Sequence, residues 1–501
     1  MMRRPTDSRS RFAATTVTAA VTTALFLLSG CAVGPDYQRP EVSLPDAFRT
    51  APGGDTATTA ALVEKAWWRL FQDEVLNGLI EQAQRNNFDV LAAVARVEEA
   101  EGLAREAQAT FFPQVDLKAS DARSQLSTKN ASPIPATVPS LQDSRKAGLS
   151  TSFELDLWGK LRRAHESARA DVLATRYARE ALDLSVAGLV ANGYFGLRAA
   201  DANLTLTEST LESRRKTLAI VRSKHEAGNA SPLDLNQAEG AVALAEAQLA
   251  DLRRQRSLAE NQLGLLTGQP GLRITPADLR KLPLPPLPPA GLPSSLLEAR
   301  PDLRQAEEAL VSANARIGVA KAALFPSLSL TGNLGSESAA LSNLFTGSAG
   351  VWSLGLAATM PIFDAGRNTA RIDQATARQK QALANYQKAV QSAFKDVNDA
   401  LVNLQGYREA EQAQDRRAKA ADRTLELAQI RYDAGYAGFL EVLDAQRSAN
   451  DAQLSLVGAR QARLNSTVDV FKALGGGWKD EHAAGENRLA VSAAPAKASV
   501  K

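Results

Sequence analysis

The sequence AGYAGFLEVLDAQRSANDAQ, residues 434–453, has a counterpart 207 positions earlier in AGNASPLDLNQAEGAVALAE, residues 227–246. Both stretches place Ala-Gly ahead of a leucine, an acidic residue and an aliphatic residue, and both continue with the alanine-rich composition of a helix. A glycine at the end of one helix commonly takes the left-handed conformation that turns the chain into the next. The pair therefore predicts that one helical corner occurs twice in this chain.

The similarity of the two corners extends over most of the chain and indicates an internal duplication. Residues 111–113 (FFP) match 324–326 (LFP) at an offset of 213, and residues 158–159 (WG) match 365–366 (AG) at an offset of 207. The predicted organisation is a signal peptide (1–30), a lipidated N-terminal extended segment (31–69), a first repeat of helix, two strands and two helices (70–280), a proline-rich linker (281–294), a second repeat (295–478) and a disordered tail (479–501).

Two segments are predicted to form unusually long helices. Proline is absent from 160–231 and again from 366–494. The segment 159–228 could form ~100 Å of helix at about 1.5 Å per residue. After the first corner, apolar residues alternate in steps of three and four, which is typical of a coiled-coil seam: Leu235, Ala238, Val242, Ala245, Leu249 and Leu252.

Two segments alternate apolar and polar residues with the period of a β-strand, AGLSTSFELDL (147–157) and VWSLGLAATMPIF (351–363). Weaker strands are predicted around Leu117 and Leu330. Strands of about ten residues that are apolar on one side are typical of a membrane-spanning barrel, although a half-buried sheet in a soluble sandwich gives the same pattern. Four strands do not close a barrel, so spanning strands would require several copies of the chain.

The N-terminus has the pattern of a secretory signal, with a basic start, an apolar run and the ending Leu-Ser-Gly-Cys. A transmembrane anchor is the alternative, but the apolar run is short for one. Cys31 is the lone cysteine and is predicted to be lipidated. Of 58 basic and 55 acidic residues, four and one lie in 1–30, which leaves 54 of each. A neutral mature chain gives no support for nucleic acid binding.

The chemistry of an enzyme is not recognisable in the sequence. His165, His225 and His482 are far apart and do not have the spacing of metal ligands. No phosphate-binding glycine loop or nucleophile elbow is present. We therefore expect no catalytic residues, no metal and no cofactor.

Five motifs, taken together in this order, resemble the TolC-like outer membrane efflux channels, in particular the OprM/NodT-type lipoprotein branch. They are CAVGPDYQRP from Cys31, WWRLFQDEVLNGLIEQAQRNNFDV from Trp67, RPDLRQAEEALVSANARIGVAKAALFP from Arg300, PIFDAGR from Pro361 and RYDAGYAGFLEVLDAQRS from Arg431. The likeness runs from residue 31 to about residue 474.

This resemblance implies an α+β membrane protein in which a long antiparallel α-helical coiled-coil barrel continues a transmembrane β-barrel. Four strands from each chain would form a 12-stranded barrel in a homotrimer. The trimer would be lipid-anchored in the outer membrane and extend into the periplasm. Its implied partners are outer membrane lipid, a periplasmic adaptor protein and an inner-membrane efflux transporter, and its implied cargo is small molecules. The alternatives are the outer channel of a protein secretion system and a periplasmic coiled-coil scaffold or adaptor without a pore.

The resemblance also assigns roles to the two corners, which would form the periplasmic end of the channel. By position, Leu440, Asp444 and Arg447 match the gate, and Glu441 would add a second acidic ring. Three copies of Asp444 around an axis would favour cations. Asp444 and Arg447 are three residues apart on one helical face, so an ordinary surface ion pair is the alternative interpretation.

Three further residues are assigned to the turns at the tips, namely Gly228, Gly435 and Tyr432. The glycines would allow positive φ. The first corner has Lys224-His225 where the second has Arg431-Tyr432, so the tyrosine contact is expected at the second corner only.

Overall fold

The computed structural model describes residues 32–42, 66–127, 139–286 and 296–478, with the single positions 45, 48, 129 and 135. The predicted signal peptide, Cys31, the tail and most of the proline-rich linker lie outside the described residues. No helix within the described ranges is both long and apolar enough to cross a membrane.

Seven helices and four strands build the described part of the chain, together with several short helical turns. The helices are α1 (Glu74–Asn86), α2 (Phe88–Ala109), α3 (Lys160–Glu226), α4 (Pro232–Leu266), α5 (Pro301–Ala322), α6 (Arg367–Asp433) and α7 (Phe439–Ala473). The strands are β1 (Gln114–Gln125), β2 (Leu141–Leu155), β3 (Ser327–Ser338) and β4 (Gly350–Thr359).

The elements of the two repeats correspond closely. Helices α2 and α5 both have 22 residues and begin 213 positions apart. Helices α3 and α6 both have 67 residues, and α4 and α7 both have 35, at an offset of 207. The long helices and the duplication predicted from the sequence are thus confirmed.

The chain forms two compact units, and each draws on both repeats. The first unit comprises Met1–Pro40, Glu98–Ala174 and Ala306–Asn385, and it contains the whole sheet. The second comprises Glu41–Val97, Thr175–Gln305 and Tyr386–Lys501. It contains both corners and an aromatic core in which Trp67 stacks on Phe471 with ring centres 5.5 Å apart.

The sheet of the first unit is a fully antiparallel meander in the order β1-β2-β3-β4. Residues directly opposite each other share a face, and one such row joins Leu117, Leu149, Leu334 and Trp352. The next row of the other face joins Asp116, Ser150, Asn333 and Ser353. The sheet therefore has one apolar side and one polar side, as the alternation predicted.

Two strands end earlier than the alternation predicted. Strand β2 stops at Leu155, before Leu157, and β4 stops at Thr359, before Met360 and Ile362. The cause is the start of β3 at Ser327, which lies opposite Thr359. Beyond this point, β4 has no neighbouring strand in the part of the chain that the structure describes.

The predicted coiled-coil seam on α4 is confirmed. Ala238, Ala245 and Leu249 are buried, and the intervening seam positions Leu235 and Val242 are half-buried. The apolar partners of this seam include Leu211 of α3, which packs with Ala245 and Leu249. Helices α3 and α4, which the first corner joins, therefore pack against each other.

Candidate gate at the helical corners

Both corners end their first helix in the same way. Gly228 has φ +80° and Gly435 has φ +78°. The N–H of the residue after each glycine donates to a carbonyl five residues back, from Asn229 to Lys224 at 2.7 Å and from Tyr436 to Arg431 at 2.8 Å. This hydrogen bond is the mark of a Schellman helix end, which requires the left-handed glycine.

The corners differ in how their second helix begins. At the first corner, Ser231 caps α4 and forms a reciprocal capping box with Asp234, and Pro232 follows the cap. At the second corner, the cap position of α7 is Gly438, which makes no side-chain hydrogen bond. A side-chain cap typically stabilises a helix start by ~1 kcal/mol relative to alanine. The start of α7 therefore has less local side-chain support than the start of α4.

Tyr432 packs inside the tip. Its ring lies 6.0 Å from that of Phe439, which is buried at the start of α7. On its other side, the ammonium group of Lys224 lies 4.2 Å from the centre of the ring. A cation over an aromatic face is attracted by the ring quadrupole. Tyr432 thus contacts residues of both corners.

Three of the four predicted gate residues share one exposed stripe of α7. Leu440 is 63% exposed. Four and seven residues later, Asp444 and Arg447 form an ion pair in which Arg447 Nη2 lies 2.8 Å from Asp444 Oδ1. Val442 and Ala445 are buried on the opposite side of the helix. The spacing therefore brings Leu440, Asp444 and Arg447 together on a surface that none of the described residues of the chain covers.

Glu441 is placed differently from the other three. Its carboxylate lies 3.5 Å from Arg431 Nε, at the end of α6, so it bridges the two helices of the second corner. Sequence reasoning did not identify this contact, nor the contact of Lys224 with Tyr432. One signal was available, because Lys224 and Arg431 occupy equivalent positions 207 residues apart. Conserving a basic residue at both helix ends suits the negative end of the helix dipole.

The chain just after Cys31 is also tightly held. Val33 N donates to the carbonyl of Trp158 at 2.9 Å. A Cβ added to Gly34, which has φ +116°, would lie 2.5 Å from the Cα of Gly318 in α5. We call residues 32–40 the N-terminal strap. Its far end is fixed by Arg39, whose guanidinium donates two hydrogen bonds of 2.8 and 2.6 Å to Glu307.

A family model described as outer membrane efflux protein matches residues 79–269 and again residues 292–476, one match in each repeat. The chain belongs to the outer membrane efflux protein family. The twofold match agrees with the duplication seen in the helix lengths.

Full-length relatives of this outer membrane efflux protein are named as efflux components. The cation efflux system protein CusC of Escherichia coli (strain K12) is 36% identical over 456 residues, which cover 90% of this chain and 97% of CusC. The solvent efflux pump outer membrane protein SrpC of Pseudomonas putida is 38% identical over 465 residues, covering 91% and 97%. Both relatives are named for efflux.

The fold of this efflux protein is also that of a solved channel. The crystal structure of the Campylobacter jejuni CmeC outer membrane channel matches with a TM-score of 0.83 at 28% identity, over 92% of this chain and 98% of CmeC. The likeness confirms the predicted fold class of long helices combined with a four-stranded sheet in each chain.

Proposed function

We propose that this chain is the outer membrane exit channel of a tripartite efflux pump, acting as a homotrimer that passes small molecules out of the cell. The observation that carries the proposal is the two-sided sheet with two unpaired edges, in a chain whose relatives are efflux channels. A lipid-facing wall must be apolar outside and polar inside, and it must leave no backbone edge unpaired in lipid.

The height of the apolar side supports a membrane position. Its rows run from the one containing Leu155 to the one containing Ala147. The eight steps from Ala147 to Leu155, at about 3.4 Å each, give ~27 Å along the strand. At a tilt of about 40°, this length crosses ~20 Å of bilayer. The next positions on that side are charged, where Arg145 Nε lies 3.4 Å from Asp121. Ion pairs at this level would end the band at the lipid headgroups.

The edges require more than one copy, and the number three is the one that the family resemblance implies. Strands β1 and β4 each have one side without a partner among the described strands. Joining β4 of one copy to β1 of the next pairs every edge, and three copies give 12 strands. The periplasmic adaptor and the inner-membrane transporter enter the proposal because relatives such as SrpC are named as the outer membrane proteins of pumps.

Lipid anchoring at Cys31 is part of the proposal. The strap begins beside the end of β2, because a Cβ added to Gly159 would lie 2.9 Å from Ala32. Cys31 is one residue away, which is ~3.8 Å of chain. An acyl chain attached there would start level with the helical end of the apolar band. Residues 1–30 would be the signal that directs this modification.

The gate is proposed at the second corner. Leu440 would form an apolar constriction, and Asp444 with Arg447 a charged ring, where three tips meet. Glu441 and Arg431 would hold each tip closed from the side. The weakly supported start of α7 favours this corner as the moving part, whereas the capping box fixes the first corner. Gly228 and Gly435 would keep both turns intact during the movement.

A planar bilayer recording tests the channel directly. Purified trimer should give unitary conductance steps, and the gene should restore efflux-dependent resistance to a strain without its own outer channel when the cognate adaptor and transporter are present. A protein that inserts no pore would overturn the proposal in favour of a periplasmic scaffold. Conductance without any effect on small-molecule resistance would favour a secretion channel.

A further inference from the structure

The two open edges of the sheet belong to related strands, and this relation defines how neighbouring copies join. Strand β4 is the repeat of β2 at an offset of 207, and β1 is the repeat of β3 at an offset of 213. The chain already contains a ladder between β2 and β3. A joint between β4 of one copy and β1 of the next would be a ladder between the repeats of those same two strands. The inference rests on the proposed trimer and specifies its interface residue by residue.

Translating the observed ladder through the two offsets gives the register of the joint. Ser150 lies opposite Asn333 in the β2·β3 ladder. Their repeats are Ala357 and Ser120. We propose that β4 pairs antiparallel with β1 of the next copy so that Ala357 lies opposite Ser120 of the partner subunit, and that the pairing extends β4 to Ile362.

The stagger within the chain supports this register over its neighbours. Gln114 of β1 lies opposite Ser152 of β2, which lies opposite Thr331 of β3. The residue of β3 that corresponds to Gln114 in the second repeat is Ser327, four positions before Thr331. From one repeat to the next, the strands are therefore staggered by four residues. The proposed joint staggers them by four again, so strand tilt stays uniform around the ring. A slip of two residues would keep the same faces but change the tilt at all three joints.

The exposed residues at the end of β4 also fit. Met360 and Ile362 are 50% and 88% exposed in the single chain. In the proposed register they lie opposite Leu117 and Val115 of the partner subunit, which are apolar and exposed along β1. All four are on the apolar side. A slip of one residue would put Met360 opposite a polar-side residue and break the pattern.

Pro361 is compatible with the same pairing. In antiparallel ladders, pairs without mutual hydrogen bonds have the closer backbones, ~4.5 Å between Cα atoms. Gly148 and Gly335 form such a close pair, since a Cβ on Gly148 would lie 2.7 Å from the Cα of Gly335. Glu154, the counterpart of Pro361 in the first repeat, is six residues from Gly148. Because close pairs recur at every second residue, Glu154 also lies in a pair of the close type. Pro361 therefore falls where its missing N–H removes no bond of the joint.

Paired cysteines test the register. The variant A357C/S120C places both thiols at a pair of the close type, within the Cα range of a disulfide. Within one chain the two positions lie on opposite edge strands, at least ~14 Å apart across three strand spacings and further apart along the strands, so no internal disulfide forms. The slipped variants A357C/A122C and A357C/K118C are the matched controls, because they keep the polar face and move one thiol by two residues.

Outer membranes carrying each variant are oxidised with copper phenanthroline and run on a non-reducing denaturing gel. We expect a covalent trimer from A357C/S120C, at least fivefold more than from either slipped variant, and none from the single-cysteine variants. Stronger linking of a slipped variant would overturn the register and leave the trimer intact. A trimer on native gels without any disulfide would overturn the register too. A protein that is monomeric on native gels would overturn the proposed function together with the register.

Discussion

Removing the ion pair on the exposed stripe of α7 should open the channel. The pair between Asp444 and Arg447 spans three residues of one helix, and its side chains are 63% and 67% exposed. Pairs of this kind contribute ~0.3–0.5 kcal/mol. Opening that separates the pair in all three copies therefore works against about 1–1.5 kcal/mol, and since 1.4 kcal/mol is tenfold, D444A/R447A should raise the ratio of open to closed channels about five- to tenfold.

Single-channel recording measures this ratio, and influx of a large antibiotic checks it in cells. The matched control is D251A/R254A, which removes an exposed pair of the same spacing and order on α4. It should leave open probability unchanged. Because exposed pairs are screened by salt, the difference between wild type and D444A/R447A should shrink as ionic strength rises.

Two results would refute this reasoning. Equal open probability in wild type and D444A/R447A would show that the pair is only a surface contact of α7. A change above a hundredfold would exceed what three exposed local pairs supply. It would mean that Asp444 or Arg447 makes a buried contact with a partner subunit in the closed state, and each single variant would then act as strongly as the double.

The remaining predictions concern the anchor, the strap, the start of α7 and one buried carboxyl. Cys31→Ser should abolish labelling by radioactive palmitate; retained label would exclude the cysteine. Gly318→Ala should free the strap, because the new Cβ would lie 2.8 Å from the carbonyl of Val33, although alanine favours the helix by ~1 kcal/mol; proteolysis at the N-terminus should quicken without loss of helicity. Gly438→Ser should cap α7, because the serine hydroxyl can accept from the backbone N–H of Glu441 and the φ of −79° already suits serine. The firmer helix start should lower open probability; higher open probability would contradict this. Burial raises the pKa of Asp469, although the charge of Lys472 and a hydrogen bond with Asn192 act to lower it. The protonated carboxyl therefore contributes fully to stability at low pH, and this contribution is lost as pH rises through the folded pKa. Asp469→Asn should therefore have a higher unfolding midpoint than wild type at pH 7 and the same midpoint near pH 3. An equal difference between the two proteins at both pH values would contradict the raised pKa.

The parts of the fold that depend on local pattern were predictable. Long proline-free segments with a 3-4 apolar spacing gave helices, and period-two alternation gave the two faces of the sheet. The two corners were also predictable, because Gly228 and Gly435 adopt the left-handed backbone conformation that glycine takes most easily. Each of these signals lies within a few residues of the element that it predicts.

The contacts at the tip were not predictable in the same way. Lys224 and Tyr432 are more than 200 residues apart, and the ammonium group meets the ring only because α3 and α6 end side by side. The end of β4 was misjudged for a related reason. The alternation up to Ile362 is that of a longer strand, but β3 begins opposite Thr359 and offers no partner to the residues beyond it.

The residues proposed for the gate occur in full at one corner only. The first-corner counterparts of Leu440 and Glu441 are Leu233 and Asp234, but those of Asp444 and Arg447 are Gln237 and Gly240. Asp234 is held by the capping box with Ser231, whereas Glu441 is left to reach across to Arg431 because Gly438 offers no cap. Two backbones of equal helix length thus carry opposite chemistry: one corner uses its carboxylate to fix a helix start, and the other keeps its charges on an exposed face. In the proposed gate, the capped first corner would preserve the alignment of the helices while the second corner moves.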